Sequence, residues 1–307
     1  MGIQFRSSIS PLIRFMLSAC LIGGTALWSW AQPNPPQENA LLWEIKGKGI
    51  KKSYLYGTIH MIPRDDFFIL EAVEAAMKKS DHLVMELSMN MGLSSIFSTF
   101  RGVMLPKGQS LKDVLSEAQY DRLDQMMKEN MGMDLGNPMM GRIKPFFLAQ
   151  MLSGQDCQTG SQQSYEMYFK RRFKRMDKPV SGLETVKEQL AALDQIPMDV
   201  QIESLMEAVD NPGQGCEVFQ QMVEIYRNQD LTSMMELMEG DQQLGGSLDF
   251  LLKKRNENWI PLIKEMGKKE KLFIAVGAGH LGGEYGVVNL LRQQGFKLRP
   301  VLEPTPQ

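Results

Sequence analysis

The chain has little histidine, little cysteine and almost no excess of charge. Of its 307 residues, three are histidine and three are cysteine, and 34 basic side chains nearly balance 36 acidic ones for a formal charge of −2. That balance gives no footing to nucleic acid or an anionic membrane as the main partner, since both call for a basic patch. The apolar stretch from Phe15 to Trp28 is short for a membrane span and is interrupted by Gly and Ser, which disfavours the alternative of an uncleaved anchor. The His-Glu-x-x-His helix of ordinary zinc proteases does not occur. Methionine, by contrast, is abundant at 24 residues. Met126, Met127, Met234, Met235 and Met238 fall on helical faces, where they serve adaptable core packing or a soft peptide groove.

The amino terminus has the layout of a targeting segment. Arg6 and Arg14 give a basic start, Phe15 to Trp28 an apolar centre, and Ser29-Trp30-Ala31 the small residues that a signal peptidase requires. Residues 1–31 are therefore expected to be a signal peptide and residues 32–40 a Pro-rich leader, with the mature protein periplasmic or secreted. Leu17-Ser18-Ala19-Cys20 resembles a lipobox, but the apolar stretches on either side of Cys20 have the wrong lengths. In an oxidising compartment, Cys157 and Cys216 either form a bridge that staples two helical segments or remain two thiols. Neither has the spacing of a metal ligand.

Scarcity makes the position of the histidines informative. Two of the three occupy matched Gly-x-x-His turns, each between a strand-like and a helix-like run. Gly57-Thr58-Ile59-His60 follows Ser53-Tyr54-Leu55-Tyr56, and Gly277-Ala278-Gly279-His280 follows Leu272 to Val276. Imidazoles at the exits of buried strands stand where open α/β sheets place their chemistry, and a pair of them suits a metal.

The organisation around these turns predicts an α/β fold. Leu41–Ile45 and Lys52–Tyr56 form a hairpin around Gly47-Lys48-Gly49. A helix over Phe68–Lys79 leads to a strand over His82–Leu87. Near the other end, strand Leu272–Val276, helix Tyr285–Gln294 and strand Lys297–Leu302 repeat the plan. The two strand–helix–strand units supply a mixed sheet, with a large helical insertion over about residues 105–250. Its helices include one beginning at Ser116 with a capping box and one over Gln162–Arg175. A lone extended segment, Lys178 to Thr185, is expected to join the sheet and carry Glu184 to its end.

Further residues qualify for chemistry. Glu86 interrupts an apolar strand and, if buried, needs a cation or hydrogen bonds. Arg255 falls inside the apolar stripe Leu252, Trp259, Leu262, Ile263 and Met266, with Asn256 beside it. An inward guanidinium seeks a carboxylate, an anion or a polarised substrate oxygen. A buried ion pair with Glu86 or Glu184 is the structural alternative. His82, at a strand start, reads as a surface residue. Gly277-x-Gly279-x-x-Gly282 also fits a dinucleotide fingerprint, with Glu303 at about the expected distance, but too little chain follows for a mononucleotide-binding half.

Taken together, these fragments resemble the TraB/GumN family, whose animal relatives are the Tiki metalloproteases. The resemblance rests on Tyr54-Leu55-Tyr56-Gly57-Thr58-Ile59-His60-Met61-Ile62-Pro63, Val84-Met85-Glu86-Leu87, Gly182-Leu183-Glu184-Thr185, Arg255-Asn256 with Trp259, and Phe273 to Leu281. It implies one domain over residues 41–307 with an α/β core related to erythromycin esterases and the iron-uptake protein ChaN. It further implies an active centre of paired histidines and the Glu86 carboxylate. Tiki proteins cleave amino-terminal segments of Wnt proteins using manganese or cobalt, and a bacterial member shuts down a peptide pheromone.

The resulting expectation is an exported metal-dependent hydrolase acting on peptides or proteins. His60, His280 and Glu86 would hold one manganese, cobalt or zinc ion. Glu184 is the second choice for the carboxylate ligand, whichever of Glu86 and Glu184 is left free acts as general base, Arg255 steadies an oxyanion, and Asn256 assists. The alternative is a binding protein that sequesters a peptide or metal without turnover. Oligomeric state is not legible.

Overall fold

The computed structural model describes residues 38–88, 99–155, 160–240 and 245–305, all within a unit spanning Pro35–Gln307. The signal peptide expected at 1–31, most of the leader, Cys20 and Cys157 lie outside the described residues. Cys216 is disulfide-bonded.

The first strands, β1 (Leu42–Lys46) and β2 (Ser53–Thr58), form the expected antiparallel hairpin, with Leu42 opposite Tyr56 and Gly49 turning the chain at φ +85°. A two-residue strand, β3 (Ile62–Pro63), follows His60. Helix α1 (Glu71–Lys79) buries Val73, Ala76 and Met77 and leads to β4 (His82–Leu87). The start of α1 has no side-chain cap of its own. Instead the Glu303 carboxylate accepts from the Glu71 and Ala72 N–H groups at 3.0 and 2.8 Å, satisfying donors that a helix start leaves open. Glu303 is thereby committed to a helix, not to a ribose.

The middle of the chain is mostly helical: α2 (Leu111–Val114), α3 (Glu117–Met131), α4 (Pro145–Gln155), α5 (Tyr165–Arg175), α6 (Val186–Leu193), α7 (Met198–Asp210), α8 (Gln214–Arg227) and α9 (Leu231–Gly240). The capping box at Ser116 is present, with Gln119 as its partner. Leu111, Leu123, Met127, Leu148, Leu152 and Leu205 close a second core away from the sheet. Buried methionines such as Met77, Met85, Met127 and Met234 fill core positions, while Met61 and Met167 are exposed.

Strand β6 (Val180–Glu184) interrupts these helices and pairs with β4. Beyond α10 (Lys254–Lys269) come β7 (Leu272–Gly277), α11 (Val287–Gln293) and β8 (Lys297–Pro300). One six-stranded sheet results, in the order β6-β4-β7-β2-β1-β8. The first four run parallel, and β1 is antiparallel to both neighbours. From Leu272 to Val276 no residue of β7 is more than 1% exposed. Such an unbroken apolar run is what a parallel strand covered on both faces requires.

Two local expectations need correction. The segment Gln162–Gln163 is not the start of a helix. It forms β5, antiparallel to β3, and α5 begins only at Tyr165 behind the Ser164 cap. His82 is not a surface residue either, since its side chain is only 14% exposed. Its ring lies between Glu270 and Ser181 at 2.5 and 2.9 Å, because β6 and the end of α10 both flank the start of β4. Among the described residues, no helix is long and apolar enough to cross a membrane.

Candidate active site

Four parallel strands deliver their last residues to one edge of the sheet: β2 the His60 turn, β4 Glu86, β6 Glu184 and β7 the His280 turn. β2 and β7 are neighbours in a register that sets Thr58 opposite Gly277, so the two Gly-x-x-His turns lie side by side. Gly57 permits this approach, because a Cβ there would stand 3.1 Å from the Ala278 Cα.

The rings then part company. Residues 278–280 form a single tight turn that folds His280 inward, where it is 4% exposed. Its ring packs against Trp259 at 4.5 Å between centroids. Asn256 of α10, also buried, faces His280 Nδ1 through Oδ1 at 2.6 Å and donates through Nδ2 to the Tyr285 carbonyl at 2.8 Å. His60 continues instead towards β3, and its side chain is 72% exposed. His60 Nδ1 lies 3.0 Å from Glu166 Oε1. Thr58 and Ser164 hold that carboxylate with hydroxyl donors at 3.0 and 2.9 Å.

Arg255 occupies the centre. Its Nη2 donates to Glu86 at 2.6 Å and to Glu184 at 2.7 Å, Nε donates to Glu184 at 3.1 Å, and Nη1 lies 3.2 Å from His280 Nε2. The inward guanidinium therefore pairs with both of the carboxylates the sequence offered. A π-helical turn at Asp249–Lys253 precedes it, and Nη1 also donates to the Leu251 carbonyl at 2.9 Å. The Gly277 N–H donates to Glu86 Oε1 at 2.7 Å, which stands 3.8 Å from His280 Nε2. Trp259 Nε1 donates to Glu184, and Gln189 donates to both carboxylates.

These surroundings separate the titrating groups. Burial pushes the His280 imidazole down to about 3. Burial works against the Glu86 carboxylate, but His280, Arg255 and the Gly277 N–H outweigh it and bring its pKa down to about 2. For Glu184, burial prevails over the guanidinium and raises the pKa. Hydrogen bonding to Glu166 raises His60 to about 9. At neutral pH the buried pair is thus a carboxylate beside a neutral imidazole.

A stability prediction follows for the metal-free chain. The folded forms of His280 and Glu86 refuse protons that the unfolded chain binds. Their stabilisation is present above the unfolded values and lost as pH falls, through His280 between 6.5 and about 3 and through Glu86 between 4.5 and about 2. His60 acts in the opposite direction, contributing below 6.5 and losing its contribution as pH rises through about 9, but its side chain is 72% exposed and solvent screens most of that contribution. The thermal midpoint is expected to fall steadily from about pH 7 to about pH 4; a flat midpoint over that range would contradict the assignment.

Among the described residues, no group of three or more His, Cys, Asp or Glu side chains is placed to hold a metal ion. His60 is turned to Glu166, and Arg255 stands among the remaining donors. In kind, the donors do fit a divalent ion. Each imidazole is fixed through Nδ1 by an oxygen, the arrangement that orients a ligand histidine and reserves Nε2 for the ion. Two nitrogens with carboxylate oxygen and no sulfur suit manganese, cobalt or zinc.

Sequence reasoning overlooked Glu166 and Gln189. Glu166 sits in the first turn of a helix, where an acidic residue already has a reason to be, and His60 is 106 positions away. Gln189 follows the Thr185 capping box by one turn and carried no local signal.

Residues 41–300 match the model of the TraB/PrgY/gumN family. Metalloprotease TIKI1 of Danio rerio is 27% identical over 325 residues, covering 88% of this chain and 65% of that protein. Metalloprotease TIKI2 of Xenopus tropicalis is 25% identical over 314 residues, covering 85% and 59%. The Metalloprotease TIKI homolog of Amphimedon queenslandica is 24% identical over 344 residues, covering 94% and 66%. The chain thus spans less than two thirds of each relative's own length. No solved structure matches. With its model matched over nearly the whole described region, the chain belongs to the TraB/PrgY/gumN family.

Proposed function

We propose that the protein is an exported, metal-dependent hydrolase of peptide bonds in which His60, His280 and Glu86 hold one divalent ion. The observation that carries this reading is the pair of imidazoles in adjacent turns, each held through Nδ1 beside a cluster of buried carboxylates. The relatives named metalloproteases support it. Residues 1–31 as a signal peptide, 32–40 as a leader and 41–307 as the working domain belong to the same proposal.

The ligands have distinct supports. Glu166 orients His60, and Asn256 orients His280 and keeps its Nδ1 proton in place. Glu86, with its low pKa, stays ionised. When bound, the ion supplies Lewis acidity towards a carbonyl oxygen and makes water a stronger nucleophile near neutral pH. Glu184, whose pKa is raised, accepts the proton of the attacking water. Arg255, anchored on Glu184 through Nε, would offer Nη1 and Nη2 to the developing oxyanion.

The test is to incubate the purified chain with a diverse peptide mixture, with and without manganese, and to read the products by mass spectrometry. Cleavage that a chelator stops and manganese restores is expected. Peptides retained by the protein yet recovered intact would end the hydrolase reading in favour of a sequestering protein. The oriented ligand gives a second prediction. Glu166→Gln is expected to weaken manganese binding by about 10–100-fold, measured by titration calorimetry, with the fold retained. Unchanged affinity would remove Glu166 from the site.

A further inference from the structure

The opposite end of the same parallel strands carries a second constellation. Ser181 of β6 stands opposite Val84 of β4, and strand alternation puts His82 on the same face as Val84. Ser181 Oγ lies 2.9 Å from His82 Nε2, and His82 Nδ1 lies 2.5 Å from Glu270 Oε2, just past the end of α10. A hydroxyl, an imidazole and a carboxylate are thus joined in series. Ser181 is partly exposed, and the Glu270 side chain is 43% exposed. Along β4, His82 is about 13 Å from Glu86, so this cluster is separate from the proposed metal site. The backbone adds a further part. β6 is an edge strand that pairs with β4 alone. The Leu83 N–H donates to the Pro179 carbonyl at 3.0 Å, so the polar groups of Pro179, Ser181 and Leu183 face β4. Val180 and Gly182 then turn their N–H groups away from the sheet, where no further strand lies among the described residues. The residue after the serine therefore presents an outward backbone donor.

Each part has a chemical consequence. The Glu270 carboxylate fixes the imidazole proton on Nδ1 and leaves the Nε2 lone pair to the Ser181 hydroxyl. A serine hydroxyl becomes a useful nucleophile when a base so placed accepts its proton. The N–H of the next residue is where an oxyanion on the attacked carbonyl is steadied. We propose that Ser181, His82 and Glu270 form a second, metal-independent site that hydrolyses acyl esters with good leaving groups. Ser181 Oγ bonds to the acyl carbon as its proton passes to His82 Nε2, and the Gly182 N–H holds the carbonyl oxygen. The imidazolium gives that proton to the departing alkoxide as the ester C–O bond breaks. Water next loses a proton to Nε2 and bonds to the acyl carbon; the Oγ–carbon bond breaks and Ser181 takes the proton back. Ester and water thus give acid and alcohol, with no oxidant or reductant. A single outward donor beside the nucleophile suits an activated ester and falls short of an amide, since one oxyanion donor is worth about 100–1,000-fold in rate. The proposal rests neither on the ion nor on the peptidase reading.

The test keeps the purified chain in chelator and uses two probes, a fluorophosphonate mapped by mass spectrometry and p-nitrophenyl acetate followed by the released nitrophenolate. The fluorophosphonate is expected on Ser181. Ser181→Ala should remove the label and lower kcat for the ester by at least about 100-fold, and His82→Gln should do the same. Glu270 touches no substrate atom and acts as a positioning residue. Glu270→Gln should therefore lower kcat with KM unchanged, a split that a merely structural role would not produce. Because the Glu270 side chain is partly exposed, this variant should fold with an unchanged thermal midpoint even if His82→Gln does not. Label on another residue or on none, ester turnover that survives Ser181→Ala, or an unaltered kcat in folded Glu270→Gln each overturns the proposal. Turnover that chelator abolishes overturns it as well and assigns ester cleavage to the metal site.

Discussion

Replacing Arg255 by methionine is expected to destabilise the fold by about 3–5 kcal/mol, the usual consequence of removing one partner from a buried ion pair. The guanidinium meets Glu86 and Glu184 together, and the side chains of all three are at most 13% exposed. Without it, two carboxylates would share a buried space in which, among the described residues, Gln189, Trp259 and the Gly277 N–H are the remaining donors. They would take up protons instead, so their folded pKa values would rise above the unfolded ones. Stabilisation by a raised carboxyl is present in acid and lost as pH rises, so the deficit of the variant should shrink as pH falls. Urea unfolding at about pH 7 and about pH 5 reads both effects. Arg255→Met/Glu86→Gln/Glu184→Gln, which removes the stranded charges, should recover much of the loss. A deficit below about 1 kcal/mol at pH 7 would mean that the triad is not the buried network described.

The second large effect separates the two histidines. His60→Ala and His280→Ala are each expected to abolish stoichiometric metal binding and chelator-sensitive cleavage. Their effects on stability should differ sharply. His60 is exposed and touches Glu166 from outside, so its loss should change stability by no more than about 0.5 kcal/mol. His280 is buried against Trp259 and partners Asn256 and Arg255. Its removal leaves a cavity and an unsatisfied Asn256 oxygen, at about 2–4 kcal/mol. Thermal denaturation and equilibrium dialysis on the two variants check this. Equal destabilisation, or full metal retention in either, would contradict it.

The contrast between these histidines also marks where sequence reasoning reached its limit. Matched Gly-x-x-His turns placed both histidines at strand ends of one sheet; that their strands, β2 and β7, are parallel neighbours is seen only in the fold. The inward course of Arg255 was legible because a charged residue broke an apolar stripe. So was the strand at 180–184, because an extended segment among helices must find a sheet. The direction of each ring was not legible. It depends on the path of the chain around each ring, a tight turn over residues 278–280 that ends at His280 and a strand pairing with β5 just after His60. Glu166, Gln189 and the burial of His82 escaped for the same reason. Each depends on a partner on a distant element, and none leaves a mark in its own neighbourhood.

The proposed site has two imidazoles and one carboxylate converging on a single ion. X-ray absorption on the cobalt-loaded chain tests this most directly, because imidazole rings give a distinct outer-shell scattering that can be counted. One cobalt per chain with two histidine rings and oxygen donors is expected, falling to one ring or to no bound cobalt in His60→Ala. A site with no histidine scattering, or one unchanged by that substitution, would contradict it.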